Sequence, residues 1–166
     1  IYPRGMQVTQ TYALENDSLK IVTTHENTGS EAAPVNFAYH LYWLTQLGVG
    51  WEGVKVNGID VTEKVKANEP IAWRDDNIIE IPEKPAIRVQ QKGLPYVHAW
   101  ARKKEEDEDK STGEYDTNYV ALEPCENPED RFGQKETIID SGDSKTTELT
   151  ISLASEAQVA ALYAAA

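Results

Sequence analysis

Pro34-Val35-Asn36-Phe37-Ala38-Tyr39-His40-Leu41-Tyr42-Trp43 is the stretch on which the reading of the fold turns. Side chains of a β-strand alternate between two faces. On that pattern Val35, Phe37, Tyr39, Leu41 and Trp43 point one way, and Asn36, Ala38, His40 and Tyr42 the other. The first row is apolar enough to be buried in a core. The second is polar and aromatic, with a histidine at its centre. Such a wall suits a sugar, which offers hydroxyls to hydrogen-bond and an apolar ring face to stack on an aromatic ring.

The same alternation spreads outward in both directions. Met6 to Glu15 and Ser18 to Asn27 alternate around Asn16-Asp17, a turn signal, and read as an antiparallel hairpin. Val54 to Val56 and Ile59 to Val61 flank Asn57-Gly58, whose residues tolerate the positive φ of a type I′ turn. Further strands are predicted at Ile78 to Ile81, at Ala86 to Gln90 as an edge, and at Tyr96 to Ala101. Another runs from Thr117 to Glu123, where Pro124 takes the chain out of the sheet, and the last from Lys145 to Leu153. Helical periodicity is absent before the tail. Many short strands separated by turn signals predict an all-β, antiparallel β-sandwich. It occupies residues 1–153, with an Ala-rich tail at 154–166 that is either a short helix or irregular.

Composition excludes several classes of function. With Asp and Glu at 28 against Lys and Arg at 16, the formal net charge is −12, which repels nucleic acid and anionic membrane. No run of about 18 apolar residues is present to span a bilayer. Cys125 is the sole cysteine, so no intrachain disulfide forms, and no secretory leader is visible. A reducing compartment such as the cytoplasm is expected over secretion. Lys103 to Lys110 is a charge run of solvated-loop type; it lacks the spaced oxygen ligands and glycine of a calcium loop.

Leu122-Glu123-Pro124-Cys125, followed by Pro128, resembles the catalytic glutamate segment of the aldose 1-epimerase (galactose mutarotase) family and the related hexose-6-phosphate mutarotases. His40-Leu41-Tyr42-Trp43 is similar to that family's His-x-Tyr-Phe segment, with Asn36 ahead of it. Ser141-Gly142-Asp143 stands where the family has Pro-Gly-Glu before the final strand. The resemblance runs from Tyr2 to Leu153. It implies a sandwich of the galactose mutarotase-like type, of which this chain is the C-terminal portion. It also implies interconversion of the α and β anomers of an aldose or sugar phosphate by acid/base ring opening. Glu123 is then the base and His40 the acid, and Asn36, Tyr42 and Trp100 line the sugar site. Neither a metal nor an organic cofactor is required.

Glu and His suit that chemistry, since one is ionised and the other can carry a proton near neutral pH. The family's N-terminal part supplies a further histidine and a sugar-binding arginine, for which this chain shows no equivalent. His25 is expected to be structural and His98 to pack with Tyr96 and Trp100. The competing expectation is a catalytically silent domain: a carbohydrate-binding module, or a structural subunit of a larger complex. In either case the chain is expected to travel with a missing N-terminal portion or a partner subunit.

Overall fold

A computed structural model describes residues 5–45, 52–62, 64, 70–100, 119–126 and 137–164. Its strands, in chain order, are β1 (Met6–Glu15), β2 (Ser18–Asn27), β3 (Ala33–Val35), β4 (Leu41–Leu44), β5 (Lys55–Val56), β6 (Ile59–Asp60) and β7 (Pro70–Ala72). They continue as β8 (Asp76–Glu80), β9 (Ile87–Lys92), β10 (Tyr96–Trp100), β11 (Tyr119–Cys125), β12 (Thr137–Ile139) and β13 (Ser144–Leu153). A helix, α1 (Glu156–Ala164), follows them.

Every strand pairing is antiparallel. A seven-stranded sheet runs β1-β2-β13-β9-β8-β5-β6, and a four-stranded sheet runs β4-β11-β10-β7. A small third sheet pairs β12 with β3. One hydrophobic cluster takes Ile21, Val89 and Leu149 from the large sheet and Val97, Val120 and Leu122 from the four-stranded sheet. The two sheets therefore face each other across a common core, as the alternation predicts. The architecture is the antiparallel sandwich expected of the sequence.

The turns form where the sequence places them. Asn16 has φ 51°, and Asn57 and Gly58 have φ 52° and 77°, the left-handed conformations that two-residue hairpin loops need. Asn77 is fully buried and closes the second hairpin from beneath. Its Oδ1 accepts from Arg74 N and from Asn57 Nδ2, both at 2.9 Å. α1 rests on the large sheet through Tyr163, whose hydroxyl donates to Glu80 Oε1 at 2.6 Å.

Three expectations need correction. The segment from Pro34 to Trp43 is not one strand: its start, in β3, pairs with β12, and its end, in β4, pairs with β11. The alternation survives this change of partner, because Phe37 onward still runs beside β11. Tyr39 N donates to Pro124 O (2.9 Å), Glu126 N donates to Phe37 O (3.1 Å), and Ala38 bridges Cys125.

Second, β11 continues through Pro124 to Cys125 instead of stopping at Glu123. A strand residue in an antiparallel sheet directs both its N–H and its C=O at one neighbour. Pro124 directs its carbonyl at Tyr39, so its missing N–H forgoes one bond on that side and none with β10. Third, β9 is an interior strand between β13 and β8, not an edge. Pro82 and Pro85 precede it. The charge run at Lys103 to Lys110 lies outside the described residues.

Candidate active site on the outer face of the four-stranded sheet

Register fixes which side chains share a face. Tyr42 lies opposite Ala121, Leu41 opposite Leu122, and Ala38 opposite Cys125. Continuing that pairing sets His40 directly across from Glu123. On the other flank of β11, His98 of β10 lies opposite Glu123, and Pro70 of β7 lies opposite His98. His98, Glu123 and His40 thus form one cross-strand row. Their face is the one turned away from the core, since the intervening Val97, Val120 and Leu122 are all fully buried.

The two residues expected to act as acid and base meet. His40 Nε2 stands 2.8 Å from Glu123 Oε1, with side chains 49% and 24% exposed. Both are open to solvent, yet the carboxylate is the more sheltered, sitting in the middle of three neighbouring chain segments. Tyr42 stacks on the His40 ring, with centroids 4.6 Å apart and planes at 29°. Tyr119 meets Tyr42 edge-on at 5.0 Å. Tyr42 itself is 58% exposed, so an aromatic surface stands open beside the His40–Glu123 pair.

The other expected site residues fall differently. Asn36 is half-buried on the same side of its segment as His40. It lies four residues away, about 13 Å along extended chain. That distance puts it at the far end of the face. Trp100 closes β10 opposite Ala121, but its side chain lies outside the described residues. Two residues that the sequence did not single out as site residues are present. One is Tyr119, set beside Tyr42. The other is His98, whose Nε2 is buried without a hydrogen-bond partner. Period-two alternation could have placed Tyr119 on this face, but only the register of β10 on β11 puts His98 opposite Glu123.

His25 is structural, as expected. It is 1% exposed and packs edge-on against Phe37 at 4.9 Å. Burial holds its pKa below the ordinary value, an effect that the nearby Glu126 carboxylate opposes. Glu126 lies on the core side of β11. Its Oε1 is 3.0 Å from Lys145 Nζ, and Thr137 Oγ1 donates to its Oε2 at 2.9 Å. The end of the strand that carries Glu123 is thereby tied to β12 and β13. Among the described residues, no three His, Cys, Asp or Glu side chains gather to hold a metal ion. No described helix is long and apolar enough to cross a membrane.

No family sequence model and no curated protein sequence matches the chain. Solved structures do. A candidate aldose 1-epimerase from Escherichia coli K12 superposes with a TM-score of 0.68 at 17% identity, over 93% of this chain and 61% of that one. A galactose mutarotase related enzyme from Lactobacillus acidophilus gives 0.65 at 15% identity, over 90% and 62%. A galactose mutarotase-like protein from Lactobacillus casei gives 0.64 at 13%, over 92% and 65%. The fold is therefore of the galactose mutarotase-like type, in agreement with the resemblance read from the sequence. The chain spans less than two thirds of the length of these structures.

Proposed function

We propose that the protein interconverts the α and β anomers of an aldose or sugar phosphate, with Glu123 as base and His40 as acid. The observation that carries this reading is the 2.8 Å contact between His40 Nε2 and Glu123 Oε1 on an open face. An imidazole beside a carboxylate brings together the two groups that the reaction needs as acid and base. With a sugar between them, Glu123 takes the proton of the anomeric hydroxyl while His40 delivers one to the ring oxygen. The C1–O5 bond breaks and C1 becomes an aldehyde. Rotation about C1–C2 presents its other face. Glu123 then returns its proton to the carbonyl oxygen as the ring oxygen attacks C1 and gives its proton to His40. No proton is gained or lost over the cycle, so no co-reactant is needed. Tyr42 and Tyr119 supply a surface for the apolar ring face, and Asn36 and Trp100 are proposed to extend the sugar-binding wall.

A second reading has its own observation. Val8, Tyr12 and Leu14 of β1 share the core-directed face of the large sheet, yet are 49%, 62% and 81% exposed. The cross-strand partners of Val8 and Tyr12, His25 and Ile21 on β2, are buried at 1% and 5%. This uncovered strip favours a domain held by a partner subunit or by a further portion of the protein. In that setting the sandwich serves as a carbohydrate-binding or structural module. Anomer exchange separates the readings. Acceleration above the spontaneous rate that Glu123→Gln abolishes supports the isomerase. Sugar binding without acceleration supports the module.

A further inference from the structure

Building on the proposed isomerase reading, we infer that His98 is a positioning residue for Glu123, taking hold of its carboxylate when a cyclic sugar separates Glu123 from His40. Three observations carry this. First, His98 lies directly opposite Glu123 on the neighbouring strand, and such partners have Cβ atoms about 5 Å apart. That is within reach of an imidazole and a carboxylate. Second, His98 Nε2 is buried without a hydrogen-bond partner. A buried polar atom in that state is unfavourable and calls for an explanation, a role in catalysis being one. Third, the carboxylate is engaged on its opposite flank, where His40 Nε2 sits 2.8 Å away.

The chemistry of the reaction connects these facts. The anomeric hydroxyl and the ring oxygen are bonded to the same carbon, and each needs its own catalyst. A sugar entering the site must therefore part His40 from Glu123. The carboxylate then loses the contact that holds it on the β4 side. His98, on the β10 side, is placed to replace that contact with a ring N–H. Among the described residues, β7 carries no charged residue to compete for His98. The row works as a hand-over: His40 holds Glu123 when the site is empty, and His98 when it is filled.

The test uses the intact protein, in which the ring 15N resonances of His40 and His98 are assigned from the His40→Gln and His98→Gln variants. D-glucose, D-galactose and glucose 6-phosphate are the probes. Saturation with an accelerated sugar is expected to move the His98 ring nitrogens toward a hydrogen-bonded donor, and Glu123→Gln to diminish that shift. In anomer exchange, His98→Phe keeps the packing and removes the donor. It is expected to lower kcat roughly 10- to 100-fold, with KM within about twofold, as misplacement of a catalytic group does. His98→Gln, which keeps a donor, is expected to restore most of the loss. A wild-type kcat in His98→Phe, or a His98 resonance indifferent to bound sugar, overturns the inference and leaves the isomerase standing.

If the wild type accelerates none of the three sugars, the isomerase reading falls and the hand-over is judged without ligand. His40→Gln then removes the competing contact. A His98 shift that disappears when Glu123→Gln is added supports the pair, and no shift overturns it.

Discussion

Replacing Lys145 with Met is expected to cost more stability than replacing Glu126 with Gln, although each removes half of one ion pair. The difference follows from where the two groups sit. The Glu126 side chain is 3% exposed and that of Lys145 is 28% exposed. Lys145→Met strands a carboxylate in the interior with the Thr137 hydroxyl as its remaining donor among the described contacts. Removing one partner of a buried pair costs about 3–5 kcal/mol, and the partial access of Lys145 to water places this case near about 3 kcal/mol. Glu126→Gln leaves an amide that still accepts from Thr137, and a part-exposed ammonium that keeps its 2.8 Å hydrogen bond to Thr137 Oγ1, at about 1 kcal/mol. The double variant is expected to recover part of the Lys145→Met loss, with a coupling of about 1–2 kcal/mol. Urea unfolding of the four proteins at neutral pH gives all three quantities. A Lys145→Met cost equal to or below that of Glu126→Gln, or strict additivity in the double variant, would refute the reasoning.

Three further outcomes follow from other parts of the molecule. Burial keeps His25 neutral in the folded state, so the unfolded chain takes up its proton more readily, and the stabilisation present above pH 6.5 is lost as pH falls below that value. The melting temperature of His25→Phe is therefore expected to depend less on pH in that range than that of the wild type. Leu122, fully buried beneath the His40–Glu123 row, is expected to cost about 2–5 kcal/mol on truncation to Ala, read as a lower urea midpoint with unchanged slope. Val8→Thr with Leu14→Ser, on the uncovered face of β1, is expected to change stability by less than about 0.5 kcal/mol. The same pair is expected to reduce self-association of residues 1–166 in sedimentation velocity, which an uncovered apolar edge strand promotes.

The parts of the fold written in local periodicity were legible in the sequence. Alternation at Pro34 to Trp43 gives the buried and exposed rows even though the segment changes partner part-way, because period two survives such a change. Asn16-Asp17 and Asn57-Gly58 form their turns for a reason contained in a few residues, the left-handed conformation. Whether the strand at Ala86 to Gln90 lies at an edge is not legible locally, because its neighbours β13 and β8 are set by tertiary pairing. The end of β11 was placed too early because Pro124 was read as a terminator. Its place inside the sheet depends on which neighbour its carbonyl faces, and that is a tertiary fact. The site divides in the same way. His40 and Glu123 were found through segment resemblance, and the structure sets them in contact. That the register of β10 on β11 puts His98 across from Glu123 is likewise a tertiary fact that nothing local reveals. The open strip on β1 was equally hidden: Val8, Tyr12 and Leu14 alternate like core residues, and only the packing shows them uncovered.

The claim at the centre of this account is that the His40–Glu123 pair opens and closes a sugar ring. NMR exchange between the α and β anomers of glucose, galactose and glucose 6-phosphate tests it most directly, with the intact protein and its Glu123→Gln and His40→Gln variants. Exchange well above the spontaneous rate is predicted for at least one of these sugars, falling by about 100-fold or more in each variant. Exchange at the spontaneous rate with all three, or acceleration that survives loss of Glu123, would contradict it.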